Sequence, residues 1–278
     1  MRILINNIIE SWASAIECHD RIIAGFISLE YKKHFVSSLH NAVELCIKQK
    51  MLDAGDTKVA SIKNVKTKAI AELYCSYFEA ANDKRLNEFF SALSKDELNI
   101  FNTIEFSRML ELKNYCPPDS KASLTLLNNL RNNETHFVID NSFLNENDFC
   151  VLHNFMIDFY DFALKQLFTE NSFIVRIVTS PFKKEGDVST FSKNIIFDRE
   201  RMESFDYNKA VSENPLSKYI QKAYNEYVED NKCSNTIFSL LQSEQFKNPY
   251  SLLKSYTFNE VYSMLISMRI IGMIHMTD

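Results

Sequence analysis

Residues 20–51 read DRIIAGFISLEYKKHFVSSLHNAVELCIKQKM, and within them Ile23, Ile27, Tyr31, Phe35, Leu39, Val43 and Ile47 recur at every fourth position. That spacing keeps nearly one face of an α-helix apolar. It predicts a single long helix from Asp20 to Met51, ended by the polar step Asp53-Ala54-Gly55-Asp56. The segments on either side obey the same rule. Ile5 to Cys18 predicts a preceding helix, and Val65 to Ala80 and Arg85 to Leu93 predict two that follow. Ser94, with Glu97 three residues on, forms a capping box for a helix running toward Tyr115 and stopping before Pro117-Pro118. Leu124 to Leu130 reads as the closing turns of a further helix, which Asn132 to Thr135 can fray or end. After a polar loop from Asp140 to Asn147, Asp148 is expected to cap a last helix through Phe168. The buried stripe of that helix would be Leu152, Phe155, Phe159, Phe162 and Leu167. Residues 1–170 are therefore expected to form a helical bundle.

From residue 171 the pattern changes. Phe173 to Thr179 is a strand candidate, Asn194 to Phe197 a shorter one, and a loop from Pro181 to Ser189 separates them. Helices are expected at Pro215–Glu229, Thr236–Gln242 and Thr257–Met268, the last with Glu260 three residues after its capping threonine. The expectation is a mainly α protein, with a smaller accessory domain, mixed α/β or helical, over residues 171–278. A short helix at Tyr250–Lys254 before Thr257–Met268 would make a helix-turn-helix. The absence of a basic cluster and an acidic Glu260 at the start of the second helix argue against DNA reading.

Composition narrows the function classes. The chain has 278 residues, 46% hydrophobic and 24% charged, enough for a substantial core. Four glycines leave no glycine-rich phosphate loop, and a net charge of -5 is unlike a broad duplex-binding surface. With 22 Phe and 12 Tyr, the chain can pack thick helical layers or feed a subunit interface. The six cysteines (Cys18, Cys46, Cys75, Cys116, Cys150 and Cys233) are scattered, with no CxxC pair and no histidine at zinc-ligand spacing. Several sit in apolar helical patterns and read as buried thiols, and no metal or other cofactor is expected. No signal peptide or membrane-spanning run is apparent, so a cytoplasmic location is expected.

The stretch with chemistry in it is Arg131-Asn132-Asn133-Glu134-Thr135-His136. Arginine offers up to five donors to phosphate oxygens and keeps its charge, while histidine moves protons near neutral pH. On an ideal helix an offset of five places Arg131 and His136 about 140° apart, whereas Asn132 and His136 at offset four share a face. Either the arginine reaches around or the helix ends between the two. His40 and Glu44, at offset four on the long helix, could support a cleft or form a surface pair. His19, His34 and His153 carry no motif. Lys183-Lys184, Arg199-Glu200-Arg201, Tyr219, Tyr224 and Tyr227 could touch RNA, but charged clusters are mostly solvated surface and tyrosines mostly pack.

An all-helical bundle with Arg, a polar residue and then His resembles the HEPN domain. Arg131 to His136 is similar to the short form of that family's motif, with Asn132 at its second place. Leu127 to Leu130 before it and the aromatic-rich helix after the next loop also resemble the family. The stretch His34 to Leu45, containing His40 and Glu44, is similar to the second helix of abortive-infection HEPN proteins. The resemblance spans roughly residues 5–168. It implies a metal-independent endoribonuclease, a toxin or anti-phage effector, working as a homodimer with two motifs across one cleft. Arg131, Asn132 and His136 would be its catalytic residues and RNA its substrate. Control would come from an antitoxin protein or a regulatory non-coding RNA. Phe137 and Val138 follow His136 where some family toxins carry a nucleotide-accepting tyrosine, so that route of control is not expected. The other reading is a non-catalytic protein that binds RNA through the same cleft.

Overall fold

The computed structural model describes residues 4–54, 56, 59, 76, 92, 94, 104–112, 114–136, 142–170, 201–230, 236–243, 246 and 255–276. The side chains of Leu52, Glu134, Thr135, His136 and Asp230 lie outside this set. The described elements are α1 (Ile5–Ile23), α2 (Leu29–Asp53), α3 (Phe106–Met109), α4 (Lys121–His136), α5 (Glu146–Phe159) and α6 (Lys165–Glu170). A π-turn at Tyr160–Leu164 joins the last two. The C-terminal part adds α7 (Tyr207–Glu213), α8 (Pro215–Asp230), α9 (Ile237–Gln242) and α10 (Phe258–Ile270). Among the described residues the protein is mainly helical and has no strand.

The first helix runs five residues past its expected end. The α-helix stops at Ile23 because Gly25, at φ +92°, closes it with two bonds: Gly25 N–H donates to the Ile22 carbonyl and Phe26 N–H to the Arg21 carbonyl, each at 2.9 Å. This is a Schellman end, which favours glycine because a Cβ is strained at positive φ. Asp20 to Ile23 thus belong to α1, and a turn at Ala24–Ser28 interrupts the expected single helix. Fourfold spacing carries across that turn because Ile27 is buried from the loop. The two helices are antiparallel, with Ser14 beside Ser38 and Ser11 beside Asn41. Between them they bury Ile5, Ile8, Ile9, Trp12, Phe35, Leu39, Val43 and Ile47.

Other boundaries also move. Ile104 and Glu105 are extended and α3 is a single turn, so no continuous helix reaches Tyr115. Asn145, not Asp148, caps α5: its side chain accepts from the Asp148 N–H at 3.0 Å. α7 is a helix without a counterpart in the sequence reading, capped by Asp206 accepting from Lys209 N–H. α10 has the capping box of Thr257 and Glu260. The expected helices at 65–80, 85–93 and 250–254, and the strand candidates at 173–179 and 194–197, lie outside the described residues, as do Lys183, Lys184, Arg199 and Glu200. Tyr227 is buried and Tyr224 shares hydrogen bonds with the backbone of His275, so both serve packing.

The C-terminal helices pack onto the α1–α2 turn. Arg21 pairs with Glu260 of α10, the Ile27 N–H donates to Ser267 Oγ at 3.0 Å, and Asn214 Nδ2 donates to the Ala24 carbonyl at 2.6 Å. A Cβ on Gly25 would stand 2.5 Å from the Ala210 carbonyl oxygen of α7. At the start of α7, Lys32 is only 2% exposed and its Nζ lies 4.5 Å from the Tyr207 ring centre. Burial pushes its amine down to about 8, partly offset by the charge of Glu146.

Two expectations follow from these contacts. Gly25→Ala should destabilise the fold clearly more than Gly272→Ala, which meets open space and should cost only about 1–2 kcal/mol for its left-handed backbone; urea midpoints of the two variants make the comparison. For Lys32, the unfolded chain keeps its proton to near 10.5 while the native amine releases it near 8. Stability should therefore rise with pH between about 8 and 10, and Lys32→Met should remove that rise.

Candidate functional site

Pro117-Pro118 end the preceding segment, and Ser120 then starts α4 by accepting the Leu124 N–H on its carbonyl. Leu124, Leu127 and Leu130 are buried, which fixes the rotation of α4 against α2. The neighbouring stripe at offsets three and four, Asn128, Arg131 and Asn132, then faces a cleft of about 700 Å³. Its opposite wall is α2, with Ser37, His40, Asn41 and Glu44 presented one turn apart. Glu105, Phe106 and Ser107 at the start of α3 close one side, and Ser11 of α1 another.

The helix does not end between Arg131 and His136. Lys121–His136 is one α-helix, so the motif is helical throughout and the roughly 140° separation of the two positions stands. Arg131 and Asn132 line the cleft together. His136 is the last described residue of the helix, one turn beyond Asn132, and its side chain lies outside the described residues.

His40 and Glu44 are cleft residues rather than a surface pair. The tertiary fold brings them opposite Arg131, which spacing on α2 alone could not show. The His40 ring is 9% exposed and packs on Phe106 with centroids 4.1 Å apart. Its Nδ1 lies 3.6 Å from Glu44 Oε2, within ion-pair reach but beyond a normal hydrogen bond. Glu44 Oε1 in turn accepts from Lys48 Nζ. His40 Nε2 is buried with no hydrogen-bond partner among the described residues. Leaving such an atom unsatisfied costs about 1–3 kcal/mol, so a water or other polar group is expected to meet it. Burial lowers the proton affinity of His40 below the ordinary 6.5; Glu44 and the adjacent Asn128 side chain pull it back, while Arg131 and Lys48 add to the lowering.

His19, His153 and the described cysteines sit in the core, while His34 and His275 are exposed. His19 Nε2 and His153 Nδ1 are 2.8 Å apart, both rings fully buried. Cys18 and Cys46 are pushed up to about 12 and Cys116 to about 11 by burial, so these thiols are not poised as nucleophiles. Cys18, Cys46, Cys116 and Cys150 are free and buried; Cys75 and Cys233 lie outside the described residues. Among the described residues no three His, Cys, Asp or Glu side chains gather as metal ligands, and no helix is long and apolar enough to cross a membrane. No protein-family model, no curated protein and no solved structure matches the chain.

The direction of the His40 shift sets a pH effect. A depressed imidazole leaves stability intact above 6.5 and loses it as pH falls below that value, because the unfolded chain takes the proton first. The fall in urea midpoint between pH 7.5 and pH 5.5 should accordingly be smaller in His40→Gln than in the wild type.

Proposed function

We propose that this chain is a metal-independent endoribonuclease of HEPN-like type. The observation that carries the reading is that Arg131 and Asn132 line one cleft, on a helix that continues one turn to His136. The reaction suited to these groups is attack of the 2′-hydroxyl on the adjacent phosphorus. The O2′–P bond forms, the P–O5′ bond breaks, and the products are a 2′,3′-cyclic phosphate and a 5′-hydroxyl. DNA lacks the nucleophile, so the substrate class is RNA. Arg131 would hold the phosphoryl oxygens and stabilise the charge gathering on them in the transition state. Asn132 would orient the phosphate or the imidazole, and His136 would carry a proton. Serine and asparagine side chains in the cleft offer neutral hydrogen bonds to sugar and base, and Arg131 is its one permanent cation among the described lining residues.

In the cell this activity fits a cytoplasmic toxin or abortive-infection effector that works as a homodimer. An antitoxin protein or a regulatory non-coding RNA would hold it in check. The accessory part over residues 171–278 would serve recognition or assembly.

Labelled total RNA incubated with the purified protein in EDTA tests the reading. Wild type should yield fragments ending in cyclic phosphate and leave DNA uncut. Arg131→Ala should lose about 10²–10³-fold in rate, His136→Ala at least about 10²-fold, and Asn132→Ala less than either. RNA left intact by every variant, yet retained on a gel by wild type and not by Arg131→Ala, would replace catalysis with RNA binding.

A further inference from the structure

We infer that His40 is a proton carrier of this cleft, acting as the base that takes the 2′-hydroxyl proton. The inference rests on the ribonuclease reading of the same site. One histidine cannot serve the attacking and the leaving oxygen at once; a partner chain's His136 would meet that need, but the cleft wall already holds another ring.

Three observations assign it. His40 lines the cleft across from Arg131 and Asn132. Its Nε2 is buried with no hydrogen-bond partner among the described residues, while the Glu44 carboxylate stands 3.6 Å from Nδ1. A carboxylate on one side of an imidazole favours a proton on that nitrogen and leaves the other nitrogen free to accept one. The charged and polar groups facing the ring are Glu44 and Lys48 from α2 and Asn128 and Arg131 from α4, with Glu105 on the α3 side of the cleft. Their combined effect, dominated by burial, keeps His40 neutral near physiological pH, the state a base needs.

The acid's part falls to His136, to which the proposed function already gives a proton-carrying role. The proton balance is complete: His40 gains the proton of the 2′-hydroxyl, His136 gives one to O5′ as the P–O5′ bond breaks, and exchange with water restores both.

The test uses the full-length protein and two oligoribonucleotides of one sequence, one natural and one with sulfur in place of the leaving O5′. A sulfur leaving group departs without a proton, so it relieves the need for an acid and not for a base. His40→Gln should lower kcat on the natural substrate by at least about 10²-fold, should not recover on the sulfur substrate, and should lose the rising limb of the kcat/KM–pH profile. His136→Ala should recover on the sulfur substrate. If His40→Gln does not fold by circular dichroism, Glu44→Gln decides: without the carboxylate the rising limb should move to lower pH, and an unmoved limb overturns the role. Wild type active with His40→Gln within about threefold of it, or rescued by sulfur, overturns this inference alone. A wild type inactive on both substrates overturns the ribonuclease reading and this role with it.

Discussion

At the α1–α2 turn the Ala210 backbone comes so near Gly25 that no side chain fits between them. Much of the packing is organised by that approach. The left-handed glycine ends α1 and sends α2 back along it, and the same turn accepts a bond from Asn214 and donates one to Ser267. Arg21, in the last turn of α1, reaches Glu260, which the Thr257 cap already holds. Burial of the apolar faces supplies the gross driving force. The turn decides which faces meet.

α2 serves both the core and the cleft. One face buries Phe35, Leu39, Val43 and Ile47, and the adjoining face presents Ser37, His40, Asn41 and Glu44 to the cleft. α4 is divided likewise between its leucines and the Asn128, Arg131 and Asn132 stripe. A polar site mounted on two helices whose other faces are locked in the core is held more rigidly than one on loops. The ionisable groups near it are unequal in their freedom: Glu44 is bound by Lys48, whereas His40 keeps a ring nitrogen with no hydrogen bond among the described residues.

Local capping and burial explain where the reading of single segments succeeded and failed. Thr257 and Glu260 form their box as spaced, and Cys18, Cys46, Cys116 and Cys150 are buried thiols. Asp148 was a plausible cap, but Asn145 stands three residues earlier and its side chain accepts the Asp148 N–H, so the helix starts there. α7 escaped notice because its seven residues bury only Tyr207 and Val211, too few to show a period. The run from Glu105 to Leu112 is extended, helical and turned in succession, which no single periodicity describes.

The sequence by itself determined the helical class and most of the apolar faces of α2, α4 and α5, because those follow from spacing within a segment; Phe162, read into the stripe of the last helix, falls in the π-turn and is exposed instead. It also marked Arg131, Asn132 and His136 as the residues with chemistry in them. Only the tertiary structure decided that α2 supplies the facing wall and that His40 and Glu44 stand opposite Arg131. Residues 40 and 131 are brought together by the rotation of two helices about their buried faces, and that relation depends on packing across the whole core rather than on the residues between them.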